Sequence, residues 1–283
     1  MRYLFCIVWL AMCAPTFGAE PATVNILTFN IRYATARDGD NRWSKRTDIV
    51  HEQINRAQAD FIGMQEVTRA QHDDVEKMIG EQFDAITRTR ETNPDKGEAC
   101  TLWYRAERWR IDPEEQGTFW LSESPDVAGS KSWDSSLPRI CTWARFIDKH
   151  TGRALYVFNT HFDHRGEQAR RQSAKLIAAR IKARKHQHEP AILTGDFNAG
   201  EDSVAIATLR DAGLVDTFRA VNPDAKTVGT FNGFVGKSDG AKIDYIFTAG
   251  EVRTLESKIH TAPINSRWPS DHFAVSAKIQ WPK

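Results

Sequence analysis

The chain has 283 residues, 27% of them charged and 41% hydrophobic, which is enough for one large folded domain or two small ones with a sizeable core. Its 38 Lys and Arg nearly cancel 37 Asp and Glu. That balance speaks against a broad nonspecific nucleic-acid binder, because phosphate neutralisation supplies most of such affinity, although a locally basic cleft stays compatible with it.

In chain order, Met1-Arg2 gives a short basic start, followed by the apolar run Tyr3 to Cys13 and the exit Pro15-Thr16-Phe17-Gly18-Ala19. The run is too short for a stable bilayer span, so residues 1–19 read as a signal peptide cleaved near Gly18 or Ala19. A lipidated Cys13 is disfavoured because Met12 is large where such signals prefer a small residue. The mature chain, 20–283, reads as one secreted or periplasmic domain without a stable membrane anchor.

Apolar and β-branched runs predict strands over Thr23–Asn30, Asp60–Val67, Phe83–Thr89, Cys100–Arg105, Thr118–Leu121, Ile140–Ile147, Ala154–Thr160, Pro190–Gly195, Lys242–Thr248, Arg253–His260 and His272–Gln280. Ser44 is placed to cap a helix through about Gln58, with Ile49, Val50, Ile54 and Ala57 inward. Thr68 is placed to cap a second helix, with Val75, Met78 and Ile79 inward, and a third runs from Glu167 to His186 with Leu176, Ile177 and Ile181 on one side. The Ser, Pro and Gly of 122–138 predict a long loop. Asn25-Ile26-Leu27-Thr28-Phe29-Asn30 echoes Ala191-Ile192-Leu193-Thr194-Gly195-Asp196, as if two similar halves packed face to face around one cleft.

Export leaves Cys100 and Cys141 in an oxidising compartment, either bridged, if their strands are neighbours, or as two buried thiols. Neither has the spacing of a zinc site.

Several strand ends carry polar groups. Glu66 closes the run Ile62-Gly63-Met64-Gln65-Glu66-Val67, where a buried carboxylate is costly unless paired or metal-bound. His161, Asp163 and His164 follow Phe158-Asn159-Thr160 and argue for a polar cleft. Asp196 and Asn198 are two apart, so on extended backbone they share a face while Phe197 packs, although an Asx-type turn fits as well. Asp244 lies inside Ile243-Asp244-Tyr245-Ile246, and His272, after Asp271, is a candidate partner that a carboxylate would orient and keep protonated.

Taken together, Phe29-Asn30-Ile31-Arg32, Met64-Gln65-Glu66-Val67, Asn159-Thr160-His161-Phe162, Thr194-Gly195-Asp196-Phe197-Asn198, Lys242-Ile243-Asp244-Tyr245-Ile246-Phe247 and Ser270-Asp271-His272 resemble, in order, the endonuclease/exonuclease/phosphatase superfamily of deoxyribonuclease I-like fold. The resemblance implies an α/β fold, a four-layer sandwich of two mixed β-sheets packed face to face with helices outside. It implies Mg²⁺, or Mn²⁺, held by Glu66 and Asp271 with Asn30 nearby, and His161 and His272 donating to the phosphoryl group. Asp196 and Asn198 would handle the attacking water, and Asp244 would orient His272. Arg32 stands where some family nucleases carry an acid, which puts a second ion in doubt. Trp43, Arg139, His164 and Phe231 are candidates for substrate contact, with packing or a surface ion pair as the alternative for Trp43 and Arg139.

The implied reaction is in-line water attack on a phosphate ester, by a phosphatase or phosphodiesterase. A secreted nuclease or a sphingomyelinase-like phospholipase are alternatives on the same site. Neutral charge disfavours the first, and the lack of an obvious apolar insertion disfavours the second. A non-catalytic binding module would be expected to lack one of these positions, and no HExxH or Gly-x-Ser-x-Gly pattern supports a zinc or serine hydrolase. The expected partner is a phosphorylated substrate; no protein partner is predicted.

Overall fold

The computed structural model describes residues 23–281, so the signal-peptide reading of 1–19 lies outside the described residues. The strands are β1 (Thr23–Asn30), β2 (Phe61–Val67), β3 (Phe83–Ile86), β4 (Ala99–Arg105), β5 (Trp109–Trp120), β6 (Ile140–Asp148), β7 (Ala154–His161), β8 (Ala191–Asp196), β9 (Val215–Asp216), β10 (Asp244–Ala249), β11 (Arg253–Ile259) and β12 (Val275–Gln280). The helices are α1 (Thr47–Ala57), α2 (Arg69–Ile79), α3 (Glu167–Lys182), α4 (Val204–Asp211) and α5 (Thr217–Val221). None of the described helices is long and apolar enough to cross a membrane.

The strands form two six-stranded sheets, ordered β11-β12-β1-β2-β4-β3 and β5-β6-β7-β8-β10-β9. Each is mixed: β1 runs parallel to β2 and β7 parallel to β8, with antiparallel partners elsewhere. Reading one order forwards and the other backwards sets β1 opposite β8, so the two echoing segments hold equivalent positions in their sheets. Both strands end at the same rim, where the Asn30 amide donates to Asp196 Oδ2 at 3.0 Å.

The layers follow from which residues each sheet buries. Val24, Ile26, Phe61, Leu102, Val157, Ile192 and Ile246 meet between the sheets. Ala174, Ile177, Ile181, Ile206 and Leu209 of α3 and α4 cover the outer face of the second sheet, and Val50, Ile54, Val75 and Ile79 of α1 and α2 cover that of the first. The result is the four-layer α/β sandwich implied by the sequence.

A polar seam joins the sheets beneath the rim. Asn159 donates to Met64 O and Thr101 O, both at 2.9 Å, and accepts from Gln65 at 2.7 Å and Thr194 at 3.1 Å. The seam needs a close approach at Gly63, where an added Cβ would lie 2.8 Å from Asn159 Oδ1 and closer still to Thr194 Oγ1.

Several elements differ from the sequence reading. Strand β5 begins at Trp109 rather than Thr118; it is an edge strand with charged residues and a register shift between Ile111 and Gln116, which hides its alternation. Helix α1 starts at Thr47, because residues 39–41 and 43–45 form 3₁₀ turns and Ser44 lies inside the second. Helix α3 ends at Lys182, and its N-terminal amides of Gln168 and Ala169 are capped by Asp134, from the 122–138 loop, at 3.1 and 2.7 Å. Helices α4 and α5, absent from the sequence reading, are capped by Ser203 and Asp216. Cys100 and Cys141 are free and buried.

Candidate active site

Strand ends from both sheets open into a cleft of about 760 Å³. Three of its chemical groups depend on backbone that leaves the β region. The pairing of β2 with β4 slips between Met64 and Val67, a bulge that puts Glu66 at φ +62° and turns its carboxylate into the cleft while Gln65 stays in the polar seam. Arg32 and Asn198 also have positive φ, +57° and +46°. Left-handed backbone is costly for residues with a side chain, and it concentrates where function over-determines geometry.

Glu66 is held by two donors, the Tyr33 N–H at 2.9 Å and the Asn30 amide at 3.1 Å. Asn30 is fully buried; its Nδ2 joins Glu66 to Asp196 and its Oδ1 accepts from Arg32 N at 3.0 Å. It thus acts as a clamp between two carboxylates, with one lone pair of its oxygen engaged by Arg32 N. Asp271 accepts from the Ser270 hydroxyl, which also ties to Asn30 O at 2.7 Å. Burial, with Glu66 adding to it, pushes the Asp271 carboxyl up.

Asp244 and His272 form the expected pair, with Nδ1 donating to Oδ2 at 2.9 Å. Thr230 Oγ1 receives the N–H groups of Ile243 and Asp244 and fixes where β10 begins. Buried Lys242, paired with Asp216 and Glu201 and lying over the Tyr245 ring, anchors the same turn. Burial opposes charge on His272, but Asp244, Asp196 and the hydrogen bond outweigh it and hold the imidazole well above its ordinary value. Asp196, fully enclosed, is raised to about 7 by burial and by Asp244. Its Oδ2 lies 3.4 Å from His161 Nε2 and 3.7 Å from His272 Nε2.

Asn198 does not share an extended face with Asp196, since β8 ends at Asp196. A left-handed turn closed by Asn198 N to Asp196 Oδ1 at 2.9 Å brings the two together, while Phe197 packs edge-on against Phe162, Tyr245 and Phe247. The Asn198 amide donates to Phe162 O at 3.1 Å and faces His161 Nε2 at 3.0 Å. So oriented, His161 accepts at Nε2 instead of donating there. Burial, then the charges of Arg139 and Arg90, push its pKa well below the usual range and favour the neutral ring.

Arg32, Arg139, His164 and Phe231 all line the cleft. Arg32 is gripped by Asp38 at 3.0 and 3.1 Å and sits 3.6 Å from Asp271. Phe231 is half exposed and stands edge-on to His272 at 5.3 Å. Trp43 takes the packing alternative: it is buried under the outer face of the first sheet, donates to Asp74 at 2.9 Å and lies against Arg46. A polar loop around it disguised a core residue. The sequence reading missed Arg90 and Glu98, a bidentate pair in the cleft wall at 2.7 and 2.8 Å, which no strand or helix period marks. Gln71 was legible as the third residue of a capping box after Thr68, yet it also bonds Ala34 N and Arg32 O and so shapes the loop beside Glu66.

Within the cleft, two carboxylate groupings could be read as cation sites. Ligand atoms of Asp196, Asp244 and His272 lie within 4.8 Å of one another. His272 Nδ1 is already spent on Asp244, so that trio has the character of a proton-handling relay. Glu66 and Asp271, oxygen donors with one guanidinium beside them, suit a hard divalent ion better.

The sequence profile described as the Endonuclease/Exonuclease/phosphatase family matches residues 27–272. A Bacteroides vulgatus endonuclease/exonuclease/phosphatase structure is 36% identical, covering 92% of this chain and 100% of that one, with a TM-score of 0.85. A Bacteroides thetaiotaomicron mannosyl-6-phosphatase is 32% identical over 90% of this chain and 99% of its own, with a TM-score of 0.82. An uncharacterized protein of Acanthamoeba polyphaga mimivirus is 27% identical over 207 residues, 70% of this chain and 74% of the viral one.

Proposed function

The chain belongs to the endonuclease/exonuclease/phosphatase family, whose members hydrolyse phosphate esters, and we propose that it is a divalent-metal-dependent phosphatase of small, sugar-linked phosphate monoesters. The observation that carries this reading is Asp196, held between two imidazoles and opposite the Glu66 and Asp271 carboxylates at the rim of a cleft sized for a small ligand. The sugar-phosphate preference is supported by the 32% identical mannosyl-6-phosphatase, whose whole length the likeness spans. Export is supported by the basic and apolar start of the sequence, Met1 to Ala19.

Glu66 and Asp271 would hold Mg²⁺ or Mn²⁺. Their donors are all oxygen, and burial and mutual repulsion raise the Asp271 carboxyl, a cost a cation removes. When bound, the ion supplies Lewis-acid polarisation of a phosphoryl oxygen. Asp196, raised to about 7, accepts the proton of the attacking water near neutral pH. Asn198 and Asn30 fix its two oxygens, so the water is met by an oriented base. The charged His272, kept upright by Asp244, donates to the phosphoryl group through the nitrogen not bonded to Asp244. Water oxygen bonds to phosphorus as the bond from phosphorus to the sugar oxygen breaks on the opposite side; the departing oxygen takes a proton from solvent and Asp196 returns its proton to solvent, giving alcohol and inorganic phosphate.

The test is phosphate release from mannose 6-phosphate, glucose 6-phosphate and bis(p-nitrophenyl) phosphate with Mg²⁺ or EDTA. Monoester turnover that EDTA abolishes, and that Glu66→Gln and Asp196→Asn each lower by at least a hundredfold, is expected. Turnover surviving EDTA or both variants refutes the mechanism, and turnover of the diester alone refutes the phosphatase reading.

A further inference from the structure

Arg139 is a buried charge that the mechanism above leaves unused. Its side chain is 4% exposed, yet it lines the cleft beside Leu137, His164 and Arg90. Nη2 faces His164 Nδ1 at 3.0 Å, whereas Nε and Nη1 have no hydrogen-bond partner. The neighbouring acids leave those hydrogen bonds unmade, although Asp163 pairs with Arg139 in charge. Asp163 accepts from Ser136 Oγ and the N–H groups of Leu137, Arg165 and Gly166, and stays 3.5 Å from Arg139 Nε. Glu98 is taken by Arg90 through both oxygens.

Solvent can supply one partner at most. A void of about 10 Å³ bordered by Arg139, Arg90, Glu98, Cys100, Glu66 and His161 is at the lower limit for a single water, and Arg90 Nε, also unpartnered, competes for it. Leaving donors of a buried guanidinium unmet is costly, and the usual resolution at a cleft wall is an anionic ligand.

The strand that follows Arg139 is set apart from the strands that carry Asp196 and Asp244. Arg139 precedes β6, whereas Asp196 ends β8 and Asp244 begins β10, two and three strands away in the same sheet. At a strand spacing of about 4.8 Å those backbones are roughly 10 and 14 Å apart, on the order of one sugar ring with its substituents. We propose that Arg139 receives a second anionic group of the substrate, a phosphate or carboxylate on the same molecule as the ester that is cleaved. The inference rests on the reading of the cleft as a phosphate-ester site.

With Mg²⁺ present, kcat/KM is measured on glucose 1,6-bisphosphate and 6-phosphogluconate against glucose 6-phosphate. At least one doubly anionic substrate is expected to be preferred tenfold or more, chiefly through KM. Arg139→Met brings that preference close to unity, and Arg139→Lys restores part of it. Binding of the same three compounds to Asp196→Asn by calorimetry gives the affinity ratio independently of turnover, so failure of hydrolysis and failure of the second subsite are told apart. Equal affinity of the wild-type site for all three compounds overturns the proposal. So does an equal loss on single and double anions in Arg139→Met, which would assign Arg139 to the scissile phosphate. Should Arg139→Met fail to fold, the wild-type ratio and Arg139→Lys decide the question.

Discussion

Asp244→Asn tests the orientation of His272, and also removes the charge that helps to raise Asp196. The substitution keeps size and leaves an oxygen able to accept from Nδ1 at the 2.9 Å now seen, but removes the negative charge that sustains the imidazolium. A charge-assisted hydrogen bond of this kind contributes about 1.5–3 kcal/mol, which as a transition-state effect lowers kcat by roughly 10- to 150-fold. Stability should fall too, by about 1–3 kcal/mol, since half of a buried ion pair loses its charge; the loss stays below the usual 3–5 kcal/mol because one oxygen of Asp244 is buried without a partner and the nearby Asp196 loses a like charge. The pH profile supplies the sign. Asp244 holds His272 charged well above the ordinary histidine value, so activity that needs the imidazolium persists as pH rises through neutrality. In the variant that pKa falls towards about 6.5 and the alkaline decline of kcat moves to lower pH. Steady-state kinetics across pH 5–9 (a range of about 4 units) with thermal melts in parallel gives all three quantities. A variant with wild-type kcat, or one whose loss follows a collapse in melting temperature, refutes the orienting role.

Other consequences follow from the frame around the site. Arg46 is fully buried and donates to Asn41 O, Pro269 O and Arg32 O, tying three loops together, so Arg46→Met should cost about 3–5 kcal/mol, seen in a urea titration as a lower midpoint. Gly63→Ala drives a methyl into Thr194 and Asn159 across the sandwich and should cost about 1–3 kcal/mol; an unchanged midpoint would contradict the close approach. Burial depresses His260 from 6.5 to about 4, so the unfolded chain binds the extra proton first and stability is lost as pH falls between those values. The full loss is on the order of 3 kcal/mol, and His260→Gln should flatten that part of the acid limb when unfolding is compared at pH 4.5 and 7.5, conditions about 3 units apart.

What the sequence displayed and what it concealed divide along physical lines. Glu66, Asp244 and His272 were visible because polar groups at the ends of apolar runs conflict with burial unless they meet something, and they do. The echo of Asn25–Asn30 in Ala191–Asp196 was visible because both segments fill the same place in equivalent sheets. The bulge that aims Glu66 was not, since alternation alone says nothing of a register slip. The choice between contact and packing for Trp43 stayed open for a related reason: its neighbours are polar, but the chain there turns twice in 3₁₀ geometry and drives the indole beneath the sheet. Arg90 and Glu98 escaped notice because their pairing closes a loop, where no period links the two positions.

Three left-handed residues, Arg32, Glu66 and Asn198, each stand within two positions of a strand's end or inside its last turn of pairing. Each conformation costs of the order of 1–3 kcal/mol for a residue bearing a side chain. The bonds that hold them are the bonds that build the site. Arg32 N reaches Asn30, whose amide clamps Glu66 and Asp196; Arg32 O receives Arg46 and Gln71; Asn198 N closes on Asp196. Relaxing any one of these backbones would therefore disorient a carboxylate rather than merely loosen a loop. The sandwich supplies two rigid sheets whose equivalent strands, β1 and β8, end face to face, and the strain is stored where they end. That arrangement divides the proposed site between the halves of the chain: Asp196, the proposed base, is carried by one sheet, and the Asn30 clamp that orients it by the other.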